Sequence, residues 1–177
     1  MRRTSTAQDS ALNNSGGDRH LYSARTNGGI PAFLPATREE MERLEWSRPD
    51  IVLVTGDAYV DHPSFPAALL GRVLDAAGFR VAILARPDVN DASDFKRFGL
   101  PRLFFGVTAG ALDSMVANYT AQKRRRSDDP YAPGGEAAGR PDRAVTVYCN
   151  RIRQAYGKAA VIVAGGIEAS LRRFAHY

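Results

Sequence analysis

The run Ile51-Val52-Leu53-Val54, broken at once by Thr55-Gly56-Asp57, constrains this chain more than any other stretch. Its four apolar residues stand together without alternation, and Ile51, Val52 and Val54 are β-branched. A short unbroken run of that kind fits a strand buried on both faces, as in a parallel sheet. Val81 to Ala85, Leu103 to Val107 and Ala160 to Ala164 repeat the pattern. Parallel neighbours need a crossover between them, usually a helix. One is written between the first two runs, with Ser64 as N-cap, Pro66 in the first turn and Gly78 past the end. Phe65, Leu69, Leu70, Val73, Leu74 and Ala77 recur there at helical spacing and form the expected core face.

The other elements follow from the same rules. Thr37-Arg38-Glu39-Glu40 has capping-box spacing and opens a short helix to about Trp46, closed by Pro49. Asp91 to Phe98 suits another short helix, and Leu112, Met115, Val116 and Tyr119 resume the helical period from Ala111. Val145 to Tyr156 reads two ways. Val145-Thr146-Val147-Tyr148 has strand propensity, whereas Val145, Tyr148, Ile152 and Ala155 line one helix face. The crossover needed before the fourth strand selects the helix. Lys123 to Arg143 is a long loop, of the kind that is either functional or disordered.

Residues 1–30 are polar and aperiodic and read as a disordered tail. Residues 31–177 read as one domain, entered through the extended stretch Pro31 to Pro35. Past the fourth strand, Gly165 to Ser170 reads as a loop. No closing helix with a C-cap follows, as though the chain stops in mid-structure. The expected fold is α/β: a doubly wound, mostly parallel sheet with the first strand central, in a flavodoxin-like order.

Composition narrows the function. No run of about 18 apolar residues exists to span a membrane, and no apolar segment follows Arg2-Arg3 as a secretory signal would require. The one cysteine, Cys149, allows no intrachain disulfide and suits a reducing, cytoplasmic setting. The net charge of +5 is concentrated in Lys123-Arg124-Arg125-Arg126. Such a cluster either binds nucleic acid or a phosphate-bearing ligand, or is a solvated face. The dinucleotide, P-loop and α/β-hydrolase glycine motifs are all missing.

In open α/β sheets ligands bind beyond the carboxyl ends of the strands. Three loops reach that edge: Thr55 to Ser64, Thr108 to Gly110 and Gly165 to Ser170. The candidate ligand-binding residues are therefore Thr55, Gly56, Asp57, Asp61, His62, Thr108, Gly110, Gly165, Gly166 and Glu168. Glycine lets a ligand approach the backbone, and an imidazole held by a carboxylate can serve as base or metal ligand. The competing assignment is plain structure: glycines for tight turns, Asp57 or Asp61 as helix caps, His62 on a loop carbonyl. His20, His62 and His176 have no H-x-x-x-H spacing, which speaks against a self-contained zinc site.

Four strings then stand out together: Val54 to Phe65 (VTGDAYVDHPSF), Leu103 to Gly110 (LFFGVTAG), Arg140 to Arg143 (RPDR) and Gly165 to Arg173 (GGIEASLRR). In this order they resemble the N-terminal region of the YgiQ family of radical S-adenosylmethionine (radical SAM) proteins, over about residues 33–177. The resemblance implies a bacterial cytoplasmic protein that continues into a radical SAM barrel, the partner of this domain in cis. In that barrel a C-x-x-x-C-x-x-C motif holds a [4Fe-4S] cluster that cleaves S-adenosylmethionine. This chain lacks the motif and would not perform radical chemistry alone. The strand pattern also resembles the cobalamin-binding domains that precede many such barrels, some of which ligate cobalt through Asp-x-His-x-x-Gly. Here Asp61 and His62 are adjacent and Phe65 replaces the glycine, a departure that counts against cobalamin. The implied role is an accessory domain of unknown substrate, the alternatives being a nucleic-acid-binding module or a ligand-free remnant.

Overall fold

A computed structural model of the chain describes residues 33–137 and 139–171, with the backbone of Thr26–Asn27 and Ile30–Pro31. Those two pairs are strands β1 and β2, an antiparallel ladder within the unit formed by residues 1–32. The rest of the expected disordered tail lies outside the described residues, as do His20, His176 and Arg172-Arg173.

Residues from Phe33 onward form the second unit. In chain order it contains α1 (Arg38–Arg43), β3 (Ile51–Thr55), α2 (Pro66–Ala76), β4 (Val81–Ala85) and β5 (Phe104–Thr108). There follow α3 (Ser114–Asn118), α4 (Ala144–Tyr156), β6 (Ile162–Ala164) and α5 (Gly166–Leu171). The four longer-range strands make one sheet in the order β4-β3-β5-β6, parallel at every pairing. The first of them, β3, is interior, as its unbroken apolar run requires. All five of its residues are buried.

Successive side chains on a strand point to opposite faces. Val52, Val54, Ala82, Leu84, Phe105 and Val107 accordingly share one core with Tyr148 and Ile152 of α4, and with Trp46 and Phe95. Ile51, Leu53, Val81 and Ile83 share the other with Leu34 and with Ala67 of α2. Helices thus cover the sheet from both sides, and the fold class is α/β.

Local chemistry sets several boundaries. Thr37 Oγ1 accepts the Glu40 N–H at 3.2 Å, and Glu40 returns the bond to the Thr37 N–H at 3.1 Å, completing the expected capping box. Residues 144–156 are the crossover helix that the parallel sheet required. No helix among the described residues is long and apolar enough to cross a membrane.

Several expectations are corrected. Ser64 does not cap α2; Phe65 stands at the N-cap without a side-chain bond. Asp91 to Phe98 holds only a 3₁₀ turn, Asp94–Lys96, and α3 starts at Ser114 under the Asp113 cap rather than at Ala111. Gly165 to Ser170 is not all loop, because α5 begins at Gly166. The expected core face of α2 holds only in part: Leu74 packs against the core, but Leu69, Leu70 and Val73 are exposed. The helix packs instead through Ala67, Ala68 and Gly71. A Cβ on Gly71 would stand 2.5 Å from Leu34 Cδ1, so a small residue there lets the helix lie close to the sheet. Close approach, not apolar bulk, decided which side turned inward.

That assignment makes opposite predictions for two changes. Val73→Lys should shift the unfolding free energy by less than about 0.5 kcal/mol, as an exposed site does. Ile83→Ala should cost about 2–5 kcal/mol. Urea titrations of both variants decide; a large loss at Val73 would restore the bulky face as the packed one.

Candidate functional site

The carboxyl edge of the sheet is built around Arg140, which is 3% exposed and comes from the long loop between α3 and α4. Its Nη2 donates to Asp57 Oδ1 at 2.8 Å and to Asp129 Oδ2 at 3.1 Å. Its Nη1 donates to the Ala109 carbonyl. Arg86, just past β4, donates through Nη1 to Asp129 Oδ2 at 3.2 Å and to the Gly56 carbonyl at 3.3 Å. Two guanidinium groups therefore face two carboxylates, and the cluster is neutral as a whole. Asp57 also accepts the Ala111 N–H at 2.7 Å, so it ties the end of β3 to the turn after β5. Gly110, at φ 114°, lies so close that a Cβ there would meet Asp57 Oδ1 at 2.0 Å. Only glycine fits that position.

Burial pushes the Asp57 carboxyl above its ordinary value, against the Ala111 N–H and Arg140, which favour the charged form. Burial acts the same way on Asp129, but the Tyr131 N–H and the two guanidinium groups outweigh it and leave that carboxyl low. The loop is tied down a second time where the Ala58 N–H donates to the Tyr131 carbonyl at 2.8 Å.

A second buried carboxylate, Glu168, sits on α5 at 1% exposure. Its Oε2 accepts the Ser114 N–H at 2.7 Å and the Ser114 hydroxyl, and its Oε1 accepts the Val145 N–H at 2.9 Å. Ser114 Oγ accepts the Ala144 N–H at 3.1 Å. One carboxylate thus serves amide donors at the first turns of both α3 and α4, where the helix dipoles favour negative charge.

Asp61 and His62 lie apart from both nodes, in the loop between β3 and α2. They line an open cleft of about 230 Å³ with Pro63, Ala68, Leu69 and Arg72. Arg72 Nε donates to Asp61 Oδ1 at 3.0 Å, and a second bond joins Nη2 to Oδ2, a bidentate pair. His62 is exposed, and its Nδ1 accepts the Ser64 N–H at 3.2 Å. In the neutral ring this leaves the proton on Nε2 as a donor for a ligand. Tyr59 backs the loop: its hydroxyl accepts the Leu34 N–H at 3.1 Å, and burial pushes the phenol up to about 12.

The candidates from sequence therefore divide. Thr55, Gly56, Asp57, Thr108 and Gly110 gather at the ends of β3 and β5, where Thr55 Oγ1 accepts the Asp57 N–H and Thr108 Oγ1 the Gly110 N–H. Gly166 stands against Thr108, Gly165 is exposed, and Glu168 lies buried at the helix starts. Asp61 and His62 form the separate cleft. Arg140, Asp129, Arg86, Arg72 and Ser114 carry much of this network and had no role in the sequence reading. The one available signal was the string Arg140-Pro141-Asp142-Arg143, quoted for resemblance alone. In the basic cluster, Arg125 lies over the Tyr119 ring at 5.0 Å and pairs with Asp142 at 3.4 Å. Arg126 Nε donates to the Val116 and Tyr119 carbonyls. Lys123 and Arg124 are exposed.

The radical SAM N-terminal family model matches residues 33–177. Among curated proteins, a UPF0313 protein of Methanocella arvoryzae is 63% identical over 141 residues, 80% of this chain and 23% of the relative. One from Pseudomonas aeruginosa is 58% identical over 160 residues, 90% of this chain and 21% of the relative. One from Thermotoga petrophila is 59% identical over 145 residues, 82% of this chain and 25% of the relative. The chain thus spans about a fifth to a quarter of the length of these relatives. No solved structure matches it.

Two predictions follow from the buried network. Arg140→Ala should cost about 3–5 kcal/mol in urea unfolding, because Asp57 and Asp129 would lose their shared counter-charge while still buried. A loss under about 1 kcal/mol would mean that the cluster holds nothing together. The second concerns acid. Asp129 and Asp142 have folded values below the ordinary aspartate 3.8. Their contribution is complete above that value and is lost as pH falls through the lower folded values. For Asp142, burial pushes upward and the Tyr119 hydroxyl and Asn118 amide outweigh it. Thermal midpoints should therefore drop on acidification below pH 3.8, and Asp142→Asn should flatten that limb.

Proposed function

We propose, from the premise that this chain belongs to the radical SAM N-terminal family, that it is the accessory α/β domain of a larger radical SAM polypeptide. It presents a substrate or cofactor to a barrel outside these residues. The observation that carries this reading is the contrast along the loop after β3. Asp57 is locked under Arg140 at 1% exposure, whereas Asp61, His62 and Arg72 line an open cleft a few residues on. A loop anchored at its start by the buried Asp57 and open further on suits binding and orientation, since supporting bonds hold the contacting groups in place. His62 would donate through Nε2, and the Asp61–Arg72 pair would offer both charges to a polar ligand. Thr55, Gly56, Thr108 and Gly110 shape the neighbouring strand ends, and Glu168 fixes the starts of α3 and α4.

Family membership implies S-adenosylmethionine and a [4Fe-4S] cluster for the full-length protein. The residues of this chain do not fit the cluster. Its only thiol, Cys149, is half-buried on α4 with its proton held by burial, and a cluster takes several thiolates. For cobalamin, the loop after β3 departs from Asp-x-His-x-x-Gly, with Asp61 and His62 adjacent and Phe65 at the glycine position, and Asp61 is already paired with Arg72. No step is routed through either group.

The test uses the full-length Methanocella relative, reconstituted anaerobically with iron and sulfide. It should show cluster absorbance, and so should a version lacking the residues aligned with 33–171. Absence of a cluster in the full-length protein would remove the radical SAM setting. Loss of the cluster on deletion would make this domain part of the cluster site, not an accessory to it.

A further inference from the structure

The sheet is covered unevenly. On the α2 side, Ile51, Leu53, Val81 and Ile83 lie buried beneath α2 and Leu34. Further along the same face the cover ends. The register pairs Gly106 with Val163, so Val163 continues the row that contains Leu53 and Gly106. Val163 is 51% exposed, and Val161, two residues before it, is 58% exposed. On α5, Ile167 and Leu171, one helical turn apart, are also half-exposed. Among the described residues β6 has a partner, β5, along one edge only.

Parallel sheets are normally covered on both faces, and an exposed apolar row beside an open strand edge is a template for association. Three occupants are conceivable: a second copy, a separate protein, or the continuation of this polypeptide. Two observations select the last. The chain spans only 23% of the length of its Methanocella relative. The element that leaves β6, α5, starts within two residues of the strand and carries Ile167 and Leu171 itself. A polypeptide that continues from α5 is tethered in cis to β6, at the high effective concentration that a covalent connection gives.

We propose that the polypeptide downstream of position 177 docks on this face, laying the apolar stripe of a helix across Val161 and Val163. The inference rests on the reading of this chain as the N-terminal part of a longer protein, and does not depend on what the cluster does. It names the surface through which the two parts meet, distinct from the Asp61–His62 cleft on the loop after β3. Closure of the β6 half of the sheet is then supplied by the larger part, and the stability of the fourth strand depends on it.

Hydrogen exchange compares the 177-residue chain with the full-length Methanocella relative. Amides of residues 162–164 should exchange at least about ten-fold more slowly in the full-length protein, with β3 and β4 protected in both. Equal exchange at β6 overturns the proposal. Protection of β6 in the 177-residue chain that rises with protein concentration, with a dimer in sedimentation, overturns it in favour of a second copy. A second measurement holds even if the short chain folds poorly. Lysine placed at the residue aligned with Val163 in the full-length relative should lower its thermal midpoint by about 5 °C or more, as for a buried site. An unchanged midpoint contradicts the docking. Failure of the accessory reading appears separately, as missing cluster absorbance with the β6 protection intact.

Discussion

The arrangement depends most on one buried cation. Arg140 reaches from a long loop to the ends of two strands, and its guanidinium is shared among Asp57, Asp129 and the Ala109 carbonyl. Burying a charge is tolerable only when it is paired and its donors are satisfied. Here Arg86 supplies a second cation against the second carboxylate, so the cluster carries no net charge. The geometry is demanding, and that demand fixes the positions of residues that propensity alone would leave loose. A loop of 25 residues between α3 and α4 is held in one place by it. Its described residues hold one 3₁₀ turn, Pro133–Gly135, and two isolated bridges, Tyr119 with Arg125 and Asp128 with Glu136.

The same logic recurs at Glu168. A short helix after the last strand places one carboxylate between the first turns of α3 and α4, where backbone donors would otherwise lack partners. The two nodes divide the work of closing the carboxyl edge. Arg140 joins β3, β5 and the long loop, while Glu168 joins α5 to the helices that flank the loop. Polar groups that a ligand could have used are engaged internally at both. What is left open is the Asp61–His62–Arg72 cleft beside α2 and the bare apolar face near β6.

Much of this fold is legible in the sequence because it is local. Unbroken apolar runs mark β3 to β6, and Thr37 with Glu40 marks the start of α1. Val145 to Tyr156 was ambiguous by propensity and was decided by topology, since a parallel strand had to follow. The rest fails for identifiable reasons. Asp57 and Arg140 are 83 residues apart, so no spacing rule connects them. On α2 the apolar period pointed to Leu69, Leu70 and Val73, but Gly71 and the neighbouring alanines permit closer packing on the sheet. The start of α5 was hidden by Gly165-Gly166, which read as a turn. The candidate residues lie at the strand ends or on the segments just after them, yet the pattern could not tell the buried carboxylate Asp57 from Asp61, which lines the open cleft.

Burial and shared ion pairs should immobilise the Arg140 side chain. Nitrogen-15 NMR of the guanidinium tests it directly. A shared, buried group should give resolved Nη–H resonances at neutral pH, exchanging slowly with water. A single averaged signal in fast exchange, like that of an exposed arginine such as Arg124, would contradict it.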